Sequence, residues 1–231
     1  MPTSYLNGLM RLCARPQTNL DSVIRWSTWQ APELPVKGRL QNTLQHTHGI
    51  VLLAHLAIAR LRPYESIQDP EFLLLAFLVH DHGEGEIGYD TLDPQKTAKS
   101  EAFECDAFLA ALESHEIDPD LCERIRRAYL LQFVTKTDGQ RAELSPAAQA
   151  IVAELMETHR GEALLFAALE QLDYVFYAME AHDAGVDRIL REVLERQLPH
   201  LERAAQSIPG FREELWTEEC SELARAHING A

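Results

Sequence analysis

The stretch Asp69–Asp90, DPEFLLLAFLVHDHGEGEIGYD, decides how this chain is read. Asp69, Pro70 and Glu71 make a helix start: an acceptor at the cap, a ring that needs no N–H in the first turn, and an acid at the positive end. The apolar run Phe72–Val79 follows. By composition alone it could be a buried strand, but the Asp-Pro-Glu start and the leucines favour a buried helix. Gly83, Gly85 and Gly88 are expected to stop it. At the junction stands His80-Asp81-His82. Polar groups placed straight after an apolar run cost several kcal/mol if buried without partners, on the order of 2–7 on transfer scales. A divalent metal would satisfy them.

Helix signals continue on both sides. Leu40–Leu61 is apolar on several faces, as expected of a central helix. A helix is expected over about Thr97–Ser114, and two more open at Asp118-Pro119 and Ser145-Pro146 with the same cap and proline. Glu162–Ala184 carries Leu165, Leu169, Leu172, Phe176 and Met179 at helical spacing. Val186–Ala205 and Phe211–Ala226 are more polar and read as outer helices. Gln30–Gly38 and Phe133–Ser145 read as loops. No run alternates like a strand. The fold class is therefore all-α. The 231 residues suit one domain, with a core over about 20–185 and a C-terminal helical extension over about 186–231.

Composition narrows the partners. A net charge of −15 disfavours a nucleic-acid polymer, although a pocket can invert the field locally for a small phosphorylated ligand. Cys13, Cys105, Cys122 and Cys220 form no CxxC pair and are expected to be free thiols. With neither a signal core nor a run of ~18 apolar residues, the expectation is a cytoplasmic protein without a membrane partner.

Adjacent ligands at a helix end point roughly 100° apart and can take neighbouring coordination positions. Further ligands must come from other helices. His46 lies upstream on the Leu40–Leu61 helix. Asp173 lies downstream among Leu172, Tyr174, Val175 and Phe176. Two His and two Asp suit one divalent ion: manganese, cobalt, iron or zinc.

The ordered set His46, His80-Asp81, Asp173 resembles the H…HD…D signature of the HD superfamily of metal-dependent phosphohydrolases. Arg25-Trp26, Gln45-His46-Thr47, His80-Asp81-His82-Gly83-Glu84 and Gly88-Tyr89-Asp90 are similar to one branch, the bacterial 5′-deoxynucleotidases and their relatives. Gln45 and Thr47 stand where that branch has Glu and Ser, and Tyr89 separates Gly88 from Asp90. The resemblance covers about 21–180. It implies an HD-domain helical bundle around the metal and hydrolysis of a (deoxy)nucleoside 5′-monophosphate by metal-activated water. By the same resemblance Glu84 and Asp90 are the catalytic carboxylates, Arg25 grips phosphate, and Trp26 packs on sugar or base. Relatives of this kind are often dimers, so a homodimer is expected.

Two other readings stay open: a dinuclear iron oxygenase on the same ligands, and a non-catalytic nucleotide-binding or regulatory module. The first needs two more histidines. His115 and His159 lie in the right interval, but their neighbours look like solvated helix ends. His48 and His55 are expected to be structural.

Overall fold

The computed structural model describes residues 20–23, 25, 41–90, 96–115, 117–136, 143–183 and 187–230. The regular elements among them are all helices, in the order α1 (Thr43–Leu61), α2 (Pro70–Val79), α3 (His82–Ile87), α4 (Ala98–Glu113), α5 (Pro119–Leu130), α6 (Pro146–Thr158), α7 (Arg160–Asp183), α8 (Asp187–Ser207), α9 (Phe211–Glu214) and α10 (Glu218–Gly230). Short 3₁₀ turns follow α1 and α5 at Arg62–Tyr64 and Leu131–Phe133. No helix among the described residues is long and apolar enough to cross a membrane.

Local chemistry explains the starts. Asn42 caps α1 with a capping box: its side chain accepts from Gln45 N at 2.8 Å, and Gln45 Oε1 accepts from Asn42 N at 3.1 Å. Asp69 caps α2 by accepting from Phe72 N at 2.9 Å. Thr97, Asp118 and Ser145 cap α4, α5 and α6. These supply acceptors for N–H groups that the helix itself cannot satisfy.

Helices α1, α2 and α7 pack on one another and form the centre of the molecule. Phe77 of α2 stacks on Phe166 of α7 with ring centroids 4.5 Å apart. At its N-terminal end α7 is tied to the segment before α2, where Glu162 Oε1 accepts from Gln68 N at 2.7 Å and Asp69 N at 2.9 Å. Helix α5 packs on α2, and α4 packs on α3.

Several expectations need correction. The glycines do not stop α2. The helix axis breaks earlier, at His80-Asp81, where Asp81 takes φ −94°, ψ 4°. Gly83 and Gly85 then lie inside α3, and only Gly88, at φ +83°, ends a helix. Gly83 is there for space: a Cβ would sit 2.6 Å from Glu104 Cγ and from the Tyr129 hydroxyl. Helix α1 is not buried all round either. Leu52 and Leu56 are 53% and 66% exposed, while Ile50, Ala54, Ala57 and Leu61 form its inner face. On α7, Leu165, Leu169 and Leu172 are buried but Phe176 and Met179 are largely exposed.

The C-terminal helices are not merely outer ones. The most extensive helix pairing is α7 with α8, and Leu190, Leu194, Leu201, Phe211 and Trp216 join the same core as Ile50 and Phe77. The expected helix Phe211–Ala226 is split into α9 and α10. Trp216 turns inward at the break, and its indole N–H donates to Glu202 Oε1 at 3.1 Å. The Gln30–Gly38 loop lies outside the described residues, as do positions 137–142 of the second loop. Cys105, Cys122 and Cys220 are free; Cys13 lies outside the described residues.

Candidate metal centre

Three helices deliver the site. His46 sits one turn into α1, fully buried. His80 and Asp81 occupy the break between α2 and α3, and Glu170 and Asp173 share one face of α7 at a three-residue spacing. His46 Nε2 and His80 Nε2 are 3.2 Å apart. Glu170 Oε1 lies 3.1 Å from His80 Nε2 and 3.6 Å from His46 Nε2. Asp81 adds a second carboxylate, with Oδ1 3.1 Å from His80 Nε2 and Oδ2 3.5 Å from His46 Nε2. One ligand atom each from His46, His80 and Glu170 falls within 4.8 Å of the others.

The outer ring nitrogens assign the tautomers. His80 Nδ1 lies 2.8 Å from the Phe77 carbonyl oxygen, which can only accept. His46 Nδ1 lies 2.7 Å from Asp173 Oδ2, an acceptor when ionised. Both Nδ1 atoms therefore carry the proton, and in the neutral rings both Nε2 atoms present lone pairs. Two lone-pair nitrogens and the Glu170 carboxylate converge on one small volume, with Asp81 beside them and shared with Arg25, and a cation between them would satisfy them together. Glu170 Oε1, buried, makes no hydrogen bond there. The donor set of two imidazoles and two carboxylates fits a divalent transition ion, with the second ring nitrogen held as metal-ligating histidines require.

The electrostatics agree. Burial opposes charging His80, but the Asp81 and Glu170 carboxylates overcome it and hold the imidazole well above its ordinary value. His46 is raised too: burial and Arg25 work downward, and Glu170 and Asp173 outweigh them. Asp81 and Glu170 are held far below the usual carboxylate range, against their burial, chiefly by His80. The pocket thus attracts positive charge, and a metal cation would have to displace protons to enter.

The sequence-predicted residues separate here. His46 and His80 come together with Asp81 beside them. Asp173 comes to the same place but meets the outer nitrogen of His46, so it orients that ring, while Glu170 carries the carboxylate that faces the two Nε2 atoms. Glu170 was missed. Its signal was present in Glu170-Gln171-Leu172-Asp173, where two acids share a helix face, but only the packing shows which of them reaches inward.

Arg25 is placed by a short backbone pairing: its N–H donates to Gln41 O, and Thr43 N–H donates to Val23 O, both at 3.0 Å. Its guanidinium donates to Asp81 Oδ2 at 3.1 Å and lies over the Tyr174 ring. Arg25 is buried. Trp26 lies outside the described residues. Glu84 is buried one turn after Asp81. It accepts from Lys96 Nζ at 3.2 Å and from Thr43 Oγ1 at 3.1 Å. Burial first, and the Asp81 charge next, push its carboxyl well above the ordinary range despite Lys96. Asp90 is half-buried, and its charge is felt at Arg25, Glu84 and Lys96. His115 is buried, not solvated, and the His159 ring packs on Phe72 at 4.5 Å; neither belongs to the converging group.

Family models, curated proteins and solved structures offer no match to this chain.

Proposed function

We propose that the chain is a metal-dependent phosphohydrolase of the HD type that acts on (deoxy)nucleoside 5′-monophosphates. The observation that carries this reading is the convergence of two lone-pair imidazole nitrogens 3.2 Å apart, with Glu170 Oε1 3.1 and 3.6 Å from them and one Asp81 oxygen beside each, at 3.1 and 3.5 Å. His46, His80, Asp81 and Glu170 would hold the ion, with Asp173 as a positioning residue on His46. When bound, a divalent ion there supplies a Lewis acid for a phosphate oxygen and an acidified water as nucleophile.

The protein's own groups do the rest. Arg25 sits beside Asp81 and offers a fixed fork of N–H donors suited to a phosphate. Glu84, raised by its burial, is the group assigned to hold and pass a proton. Thr43 and Lys96 fix its two oxygens. Asp90 lies close enough to influence the same groups. The order His46, His80-Asp81-xx-Glu84 supports the resemblance to 5′-deoxynucleotidases on which the substrate rests.

The test is phosphate release by the purified protein, loaded with manganese or cobalt, from a panel of nucleotides. Hydrolysis of at least one nucleoside 5′-monophosphate is expected, with activity reduced at least 100-fold by His80→Ala and by chelation. One ion per chain is expected by elemental analysis; two would favour the oxygenase reading. Full metal occupancy with no phosphate released from any phosphoester would overturn the assignment.

A further inference from the structure

The carbonyl of His80 belongs to the peptide that joins His80 to Asp81. That peptide is planar, so holding its oxygen restrains the two torsions beside it, ψ of His80 and φ of Asp81. Here they are −35° and −94°. They lie at the break between α2 and α3 and set the angle between two adjacent side chains of the candidate centre. A helix end leaves carbonyls without intrahelical partners, and such an oxygen is costly when buried without a donor.

Gln132 supplies the donor. It stands in the second 3₁₀ turn, 52 residues from His80 along the chain. Its Nε2 donates to His80 O at 3.0 Å and to Tyr129 O at 3.1 Å. Both partners are carbonyl oxygens, which only accept, so chemistry fixes which end of the amide faces them. Both hydrogens of the one amide nitrogen are spent on these carbonyls. Tyr129 is fully buried on α5, and α5 packs on α2. The amide therefore ties the break to a fixed part of the core. The His80 ring has its own restraint, the bond from Nδ1 to Phe77 O at 2.8 Å. Backbone and ring are held by separate partners.

We infer that Gln132 is a positioning residue of the metal centre: its amide holds the His80–Asp81 peptide and so sets the directions in which these two side chains leave the break. The inference rests on reading the converging group as a metal centre, and not on any reaction there. Without the amide the peptide is freer to turn, and His80 Nε2 and Asp81 Oδ1 lose a restraint that keeps them 3.1 Å apart.

Cobalt(II) titration of the full chain, followed by visible absorption, tests it, because the bands report how the ligands are arranged and not how stable the fold is. Gln132→Met keeps the length and removes both donors. Its cobalt affinity should fall about tenfold or more, the usual effect of losing an outer partner of a ligand, and its bands should change. Gln132→Asn, a milder change that leaves the amide one methylene short, should move both readings in the same direction. Gln149→Met is the control: Gln149 Nε2 donates to Leu144 O at 2.8 Å, an equivalent bond at the start of α6. It should lower the urea midpoint as Gln132→Met does, and leave cobalt affinity and bands at the parent values. Parent affinity and bands in both Gln132 variants would overturn the inference. Equal weakening in Gln149→Met would overturn it too, by tracing the effect to a general loss of stability. No cobalt bound by the parent would overturn the metal-centre reading itself, and the inference with it.

Discussion

His46 and His80 each spend one ring nitrogen on a protein acceptor and turn the other inward. The two outward bonds keep the inward atoms facing each other, 3.2 Å apart. Glu170 and Asp173 then divide the labour on α7: one faces the two inward nitrogens, the other holds the outer nitrogen of His46. This makes their variants distinguishable. Glu170→Ala should lower metal affinity at least 100-fold, because it removes a charged ligand. Asp173→Asn keeps an oxygen acceptor but loses the charge, and should cost about 10–100-fold, as expected for an outer partner of a ligating histidine. Competition with a metallochromic indicator measures both. Equal affinity in Glu170→Ala and the parent would remove Glu170 from the ligand set. His115, in contrast, is buried, which the sequence around it did not reveal, while His159 caps a helix end beside Thr158 and packs on Phe72.

Among the elements, the short helix α3 decides the geometry of the site, because it carries Glu84 and begins at Asp81. It can approach α4 only because position 83 has no side chain. Gly83→Ala would bring a Cβ to 2.6 Å from Glu104 Cγ and the Tyr129 hydroxyl, and to 2.8 Å from the Glu104 carbonyl. The backbone contact cannot be relieved by a rotamer change. We expect a loss of stability of about 1–3 kcal/mol, the usual cost of overpacking, read from the urea midpoint. Glu84 should move with the helix, so activity should fall further than stability does. An unchanged midpoint would show that α3 and α4 are free to separate. The starts of α2, α5 and α6 were legible from their caps and prolines. The end of α2 was not, since of the glycines that looked like a stop Gly83 serves close packing inside α3 and Gly88 ends that next helix instead.

For the whole molecule, the centre joins α1, α2 and α7, so its charge state bears on global stability. The raised His46 and His80 favour the folded state fully below about pH 6.5, the ordinary imidazole value, where both states are protonated. That contribution is lost as pH climbs from there through the raised folded values. Asp81 and Glu170 act oppositely: their contribution is present above the ordinary carboxylate range and lost as pH falls through the depressed values. Metal-free protein should therefore lose stability from pH 6.5 upward. Added metal should restore it, by about 2.7 kcal/mol at a hundredfold excess over Kd. Thermal unfolding across pH 6–9, with manganese and with chelator, reads both effects. A metal-induced rise in Tm that shrinks with rising pH would contradict this account.

The order of polar and apolar residues, by itself, determined the all-helical class, most helix starts and three of the converging residues: His46, His80 and Asp81. These are local properties, set by caps, periodicity and a polar doublet at the end of an apolar run. Only the tertiary structure decided that Glu170 faces the inner nitrogens and Asp173 the outer one. It also decided that Leu52 and Phe176 lie outside. Those outcomes depend on the rotation of each helix about its axis and on which neighbour covers it. Both are set by packing among segments far apart in the chain, and no local window of sequence contains that information.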